Sequence, residues 1–271
     1  MARKFLGSAS LLAPLILAAM VVAGRADDGV VLINQSKVMA AGGFPYTIKT
    51  PGSYRLAGNL TVPRSNEIDV SATPVSIHLN GFTITGQNFG VGVMTNPTSQ
   101  TTLAVSNGTI QNFGSGVDVS GGGLLTVNNL TVLNASDEAF YSNAPARFSH
   151  VSISALIGID CSSSCILDGA LVNASTIAVI GEPGVKMVAT NNVILTGRTG
   201  FLIGPGSGAD LLDNNVASNS SASVTGVSAI LSVGTTAVVA VGRNVFNLPG
   251  GICLDGSITS LGDNVCNGTK Q

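Results

Sequence analysis

From Phe44 to the C-terminus the hydrophobic positions fall into short runs that alternate with polar residues at a period of two, the pattern of half-buried β-strands. Gly, Asn and Ser close these runs at regular intervals. Ala57-Gly-Asn-Leu-Thr-Val62, Leu79-Asn-Gly-Phe-Thr-Ile84, Val105-Ser-Asn-Gly-Thr-Ile110, Val127-Asn-Asn-Leu-Thr-Val132 and Phe148-Ser-His-Val-Ser-Ile153 align in one frame. Leu167-Asp-Gly-Ala-Leu-Val172, Thr190-Asn-Asn-Val-Ile-Leu195, Asp213-Asn-Asn-Val-Ala-Ser218, Gly242-Arg-Asn-Val-Phe-Asn247 and Gly262-Asp-Asn-Val-Cys-Asn267 continue it. The third column reads Asn59, Gly81, Asn107, Asn129, His150, Gly169, Asn192, Asn215, Asn244 and Asn264. All belong to the residue types that tolerate positive φ, so the frame predicts one left-handed turn per copy. Successive members lie 19 to 29 residues apart, centred near 22, the length of one solenoid coil.

After the turn, Leu60, Phe82, Leu130, Val151, Val193, Val216, Val245 and Val265 are expected inside, each followed by an outward residue. A second β-rich segment precedes the turn, as in Leu124-Leu-Thr-Val127 and Val185-Lys-Met-Val188. A third opens each coil, as in Gly92-Val-Met-Thr95, Gly116-Val-Asp-Val119, Ala139-Phe-Tyr-Ser142 and Gly158-Ile-Asp-Cys161. Three short strands cannot bury an apolar face alone, whereas stacking coils at roughly 4.8 Å pairs their backbones and closes a shared interior. The expected fold is all-β, a right-handed parallel β-helix of about ten coils with an Asn/Gly turn ladder. An antiparallel sandwich would need hairpin signals between strands instead of one fixed left-handed column. Residues 27–44 fall outside the frame and are expected to cap the first coil, which covers 45 onward.

The first 26 residues have a basic start (Arg3, Lys4), an apolar run from Leu11 to Val22 and small residues at Gly24 and Ala26, the layout of a secretory signal cleaved after Ala26. This run is shorter than a bilayer span, and no later segment qualifies as one. Without Arg3, Lys4 and Arg25, nine basic residues face fourteen acidic ones, a net charge of −5 that argues against a nucleic-acid partner. A secreted, periplasmic or cell-envelope location follows. Four cysteines in an exported chain point to disulfides, and although three pairings exist, local loop closure favours Cys161 with Cys165 and Cys253 with Cys266.

The stretch Pro51-Gly-Ser-Tyr-Arg-Leu-Ala-Gly-Asn-Leu-Thr-Val62 followed by His78-Leu-Asn-Gly-Phe-Thr-Ile84, together with the turn column, resembles the right-handed parallel β-helix proteins of the pectate-lyase-like superfamily, in particular a bacterial secreted set. The resemblance spans nearly all of the mature chain. It implies that substrate, where there is one, lies on the face made by the first strands, and it leaves activity open because the superfamily includes enzymes, adhesins and scaffolds.

The outward column of that face reads Met94, Asp118, Tyr141, Asp160 and Ile180, and the next reads Asn96, Ser120, Asn143, Ser162 and Glu182. Asp118, Asp160 and Glu182 are the candidate catalytic carboxylates, with Tyr141 and Asn143 as candidate substrate-binding groups. Asp118 and Asp160, two rungs or roughly 9.6 Å apart, are at the upper end of the carboxylate separation of inverting glycosidases. With Asp137 and Glu138 the patch offers oxygen ligands for Ca²⁺ should the chain be a lyase; otherwise no cofactor is expected. The polygalacturonase and pectate-lyase motifs are missing, and Arg147 and Arg198 are bases only by residue type.

His150 sits in the turn column and His78 alternates outward without an evident partner, so both read as structural. Thr61, Thr83, Thr109, Thr131 and Ser152 form one expected outward hydroxyl file, and several Asn-x-Ser/Thr sites coincide with the turn, where the coil already explains them. Two functions follow: a non-catalytic polysaccharide-binding or surface-structural solenoid, and, as the alternative, a polysaccharide lyase or inverting hydrolase acting on the first-strand face.

Overall fold

The computed structural model describes residues 29–63, 66–98, 100–220, 223–229, 231–232 and 235–270; the predicted signal segment lies outside them. The chain winds into a parallel β-solenoid of about ten coils. Each coil contributes a strand to three faces. The first face includes Tyr46–Ile48, Ile68–Val70, Val91–Thr95 and Ser115–Val119, the second Gly52–Leu56, Val75–His78 and Ala146–Ser149, and the third Leu60–Thr61, Thr83–Thr85 and Val193–Thr196. Where the corners bend gently, one strand wraps several faces: Gly123–Ser142 runs from the second face through the third to the first, with register shifts between Val132 and Glu138 that absorb the bend.

Inward columns stack like on like. On the first face Ile68, Val93, Val117, Phe140, Ile159, Val179, Phe201 and Val227 lie one above another, all buried. The residue before each is also inward, and there the interior narrows against the third face. Gly92, Gly116, Ala139, Gly158, Ala178, Gly200 and Gly226 occupy this position. A Cβ on Gly116 would meet the Ala139 carbonyl at 2.5 Å and the Val132 side chain at 2.8 Å, so only the smallest side chains fit. Glu67 opens this column. It is 0% exposed, neither carboxylate oxygen has a hydrogen-bond partner among the described residues, and burial pushes its pKa up to about 8.

A left-handed residue does recur at the turn between the second and third faces: Gly81, Asn107, Asn129, His150, Gly169, Asn191, Asp213, Arg243 and Asp263. The predicted column is correct from Gly81 through Gly169; beyond it the left-handed residue lies one before Asn192, Asn244 and Asn264 and two before Asn215, so that Val216 stays inside as expected. Asn192, Asn244 and Asn264 are not the left-handed residues; they follow them and point inward, in the position that Val151 and Ala170 fill in earlier coils. In the intervening coil this inward place belongs to Asn214, not Asn215, which lies outward and pairs with Val193 and Val245. Nor is Asn59 left-handed; its Oδ1 accepts from the Thr83 N–H at 2.9 Å. Because a one-residue slip reverses every side chain, Val193 (43% exposed), Val245 (44%) and Val265, which pairs with Val245, face out and Ile194 and Phe246 face in, contrary to the expectation for all three valines.

The four inward amides are hydrogen-bonded from coil to coil. Asn192 Nδ2 donates to Asn214 Oδ1 (2.8 Å), Asn214 Nδ2 to Asn244 Oδ1 (3.0 Å) and Asn244 Nδ2 to Asn264 Oδ1 (3.1 Å). Each Oδ1 also accepts a backbone N–H of the preceding coil, and Asn214 Nδ2 reaches the Ala189 carbonyl at 2.9 Å. These are the main-chain groups that the turn takes out of the sheet ladder, and the buried amide replaces the missing strand partner. A second left-handed stack, Asn88, Asn112 and Asn134, marks the corner between the third and first faces, with Asn134 Nδ2 donating to Asn112 Oδ1 at 3.1 Å.

The hydroxyl file is likewise two files. Thr83, Thr109, Thr131 and Ser152 are in register, while Thr61 pairs with Thr85 in the neighbouring column.

At the N-terminal end Val31–Ile33 adds a parallel strand to Gly52–Leu56, and helix α1, Gln35–Ala40, follows it. The Gln35 side chain acts as a substitute strand, donating to the Thr61 carbonyl (3.1 Å) and accepting its N–H (2.9 Å), while Val38 is fully buried. At the other end Thr269–Lys270 folds back antiparallel on Val265–Cys266. Disulfides join Cys161 to Cys165 across the first-to-second corner and Cys253 to Cys266 across the last coil.

Replacing Asn214 with Leu leaves the Ala189 carbonyl and the Asn192 amide groups unpaired, so thermal unfolding should show a loss of about 3 kcal/mol, whereas Asn215→Leu, one residue on and outward, should stay within about 0.5 kcal/mol. Glu67 is neutral in the fold and ionises near the ordinary carboxylate value when unfolded. Its contribution to stability is therefore complete below about pH 4.5 and is lost as pH rises toward 8. Glu67→Gln should remove that decline, and a variant whose melting temperature falls from pH 5 to 8 as steeply as the parent's would contradict this.

Candidate functional site

The outward column of the first face is in the expected register. Met94, Asp118, Tyr141, Asp160, Ile180 and Leu202 are consecutive cross-strand neighbours, one per coil. Parallel pairing sets this alignment, because a side chain in one strand meets the equivalent side chain of the next coil. A flanking column holds Val91, Ser115, Glu138, Ile157, Ile177 and Thr199, and Ser120, Asn143 and Glu182 lie two residues beyond the central file.

Within this surface the polar groups pair locally. Tyr141 Oη donates to Asn143 Oδ1 at 2.9 Å, and Asn143 Nδ2 donates to the Ser120 carbonyl at 2.9 Å. The Ser120 hydroxyl donates to Asp118 Oδ1, and Ser115 Oγ reaches Glu138 Oε2 at 3.4 Å. The two candidate substrate-binding residues thus hold each other, and Asp118 is tied to Ser120, just past the end of its own strand.

Asp160 is different. It is only 9% exposed, stands between Tyr141 and Ile180, and its Oδ1 has no hydrogen-bond partner among the described residues. Burial, with the negative charges of Glu182 and Glu138 behind it, raises its pKa to about 7. Asp118 is also raised by burial, which the Ser120 hydrogen bond partly offsets. Glu138 is raised chiefly by burial and further by Asp137. The face is a run of four carboxyls around one aromatic ring, with Asp160 held closest to its neutral form.

Compared with known proteins, the chain matches no family model, no curated protein and no solved structure.

The chemistry available here is proton donation or hydrogen bonding from Asp160, with Asp118 two coils away, roughly 9.6 Å by rung spacing. Ca²⁺ does not fit as expected: among the described residues no three His, Cys, Asp or Glu side chains come together to hold a metal ion, since Asp118, Asp160 and Glu182 are strung along the axis and do not converge. Arg147 pairs with Thr126 and Ile166 on the second face, which removes it from this surface, and Arg198 begins the coil after Glu182. His150 holds the left-handed turn with Nδ1 3.1 Å from Ser149 Oγ, whereas His78 does have a partner, Asn107 Nδ2, at 2.9 Å from Nε2.

Glu138 appeared in the sequence only as a flanking acid, and its place beside Ser115 follows from counting three residues back from the outward column, across the two successive inward positions. The aliphatic wall of Ile157, Ile177 and Ile180 was legible in the same way, but its effect on Asp160 depends on how closely the coils bury the carboxyl.

Because Asp160 is raised in the fold, its contribution to stability is complete below its unfolded value and disappears as pH rises through about 7. Asp160→Asn should therefore raise the melting temperature at pH 8, by roughly 2–4 °C for each kcal/mol recovered, and leave it nearly unchanged at pH 4. Equal shifts at both pH values would show that Asp160 is not held neutral.

Proposed function

We propose that the chain is an exported, right-handed β-helix of the pectate-lyase-like kind that holds a polysaccharide along its first face without turning it over. The observation that carries this reading is the file Asp118, Tyr141 and Asp160 on adjacent coils, a polar and aromatic strip parallel to the axis that an extended chain can follow. The corners beside it are short, Ser142 to Ala146 and Cys161 to Cys165, which favours an open track over a deep cleft. Tyr141 and Asn143 are braced by hydrogen bonds and would meet a ligand with little loss of side-chain freedom.

Export is supported by the signal-like first residues and by two disulfides, which suit an oxidising compartment. No helix among the described residues is long and apolar enough to cross a membrane.

One observation favours the alternative of an inverting hydrolase or a lyase: Asp160, with a pKa near 7 beside other carboxylates, has the protonation expected of a general acid. A panel of neutral, acidic and amine-bearing polysaccharides, with and without Ca²⁺, separates the two. Binding without product release is expected. Turnover that disappears in Asp160→Asn would overturn the non-catalytic reading, and neither binding nor turnover on any polymer would overturn both.

A further inference from the structure

We infer that the first face selects a glycan carrying protonated amino groups, such as a polymer of glucosamine, over neutral glycans and uronates. This rests on the polysaccharide-binding reading and adds to it the charge of the ligand. The surface that would contact the polymer carries Asp118, Glu138, Asp160 and Glu182 on four successive coils. Its outward positions from Val91 to Leu202 contain no Lys or Arg. A uronate chain would bring carboxylates against carboxylates with no cation inside the run to pair them, Arg198 standing at the corner beside Thr199 a coil beyond Glu182, and repulsion of this kind is an effective means of exclusion.

Asp160 points to the amine specifically. Its Oδ1 is buried on an outward-facing side chain and has no partner among the described residues, although Asp118 and Glu138 are bonded to Ser120 and Ser115. An unpartnered buried oxygen is costly, and a ligand that draws the carboxyl outward and donates to it recovers that cost. A hydroxyl and an ammonium can both donate. The negative field of Glu138 and Glu182, which already disfavours ionisation of Asp160, favours the positive donor, and the bond is then charge-assisted. Ile157, Ile177 and Ile180 keep the position dry, which strengthens such a pair.

The spacing along the axis suits a polymer. Asp118 and Asp160 repeat after two coils, roughly 9.6 Å, close to the two-sugar repeat of an extended β-1,4-linked glycan, so amines on alternate residues meet successive carboxyls. Tyr141 lies between them.

The test is calorimetric titration of the full mature protein at low ionic strength with glucosamine, cellulose-type and galacturonate oligomers of equal length. The glucosamine oligomer should bind at least about tenfold more tightly than the neutral one, about 1.4 kcal/mol, and the galacturonate oligomer should not bind. Asp160→Asn and Glu182→Gln should each weaken the glucosamine complex severalfold while the melting temperature holds or rises. Asp210→Asn on the second face should leave binding unchanged.

Equal or tighter binding of the neutral or acidic oligomer, lost in Asp160→Asn, would overturn the amine preference and leave the polysaccharide reading standing. Failure of every glycan to bind would overturn both. Polylysine binding with the same dependence on Asp160 would show that positive charge alone is recognised and would overturn the inference.

Discussion

Every coil depends on backbone pairing with the coil beside it. A strand of three to five residues can neither satisfy its amide groups nor bury an apolar side chain by itself, and the parallel ladders supply both together. Because equivalent residues stack, whatever is placed at one point of the coil is repeated along the axis as a column. The Val, Ile and Phe columns make the interior, and the Gly and Ala column makes room where two faces meet. The ends cannot follow this rule. Gln35 and the folded-back Thr269–Lys270 stand in for missing neighbours on the third face.

Turns decide what the ladders cannot. At the second-to-third corners from Gly81 onward the chain uses a left-handed residue, and the main-chain groups beside it lose their strand partners. In the middle coils aliphatic side chains fill the space inside that corner. From Asn192 onward buried amides fill it and hydrogen-bond to one another and to the freed backbone. Arg243 adopts the left-handed conformation despite its Cβ, with Asn244 beside it in the amide stack, and a bidentate pair to Asp213 steadies it at the surface. An exposed pair of that kind contributes little, so the buried amides carry the stability of the corner.

The same stacking that builds the core shapes the acidic face. Columns of outward residues are free to vary, and the change from Asp118, Tyr141 and Asp160 to Ile180 and Leu202 gives a polar track with an apolar end. Asp160 stands at that boundary and takes properties from both sides: carboxylates behind it and aliphatic carbon beside it. A residue whose charge is suppressed on an otherwise exposed surface is the most informative feature for function in the chain, whether its partner is a bound amine or a proton in transfer.

The solenoid, its first-face register and the existence of a left-handed turn in the coils from Gly81 onward were set by local chemistry, and the sequence by itself determined them. A period of two specifies which residues face inward, and Gly, Asn or His at a fixed interval specifies where the chain reverses. The tertiary structure alone decided which of two adjacent polar residues enters the core. In Asn191-Asn192 and Asp213-Asn214-Asn215 each candidate tolerates the turn equally well, and the choice falls to the amide that can reach the unpaired groups of the neighbouring coil. It also decided the unusual states of Glu67 and Asp160. Their carboxyls look ordinary in the sequence, and only the packing of other coils around them, with no donor among the described residues to either Glu67 oxygen or to Asp160 Oδ1, makes ionisation costly.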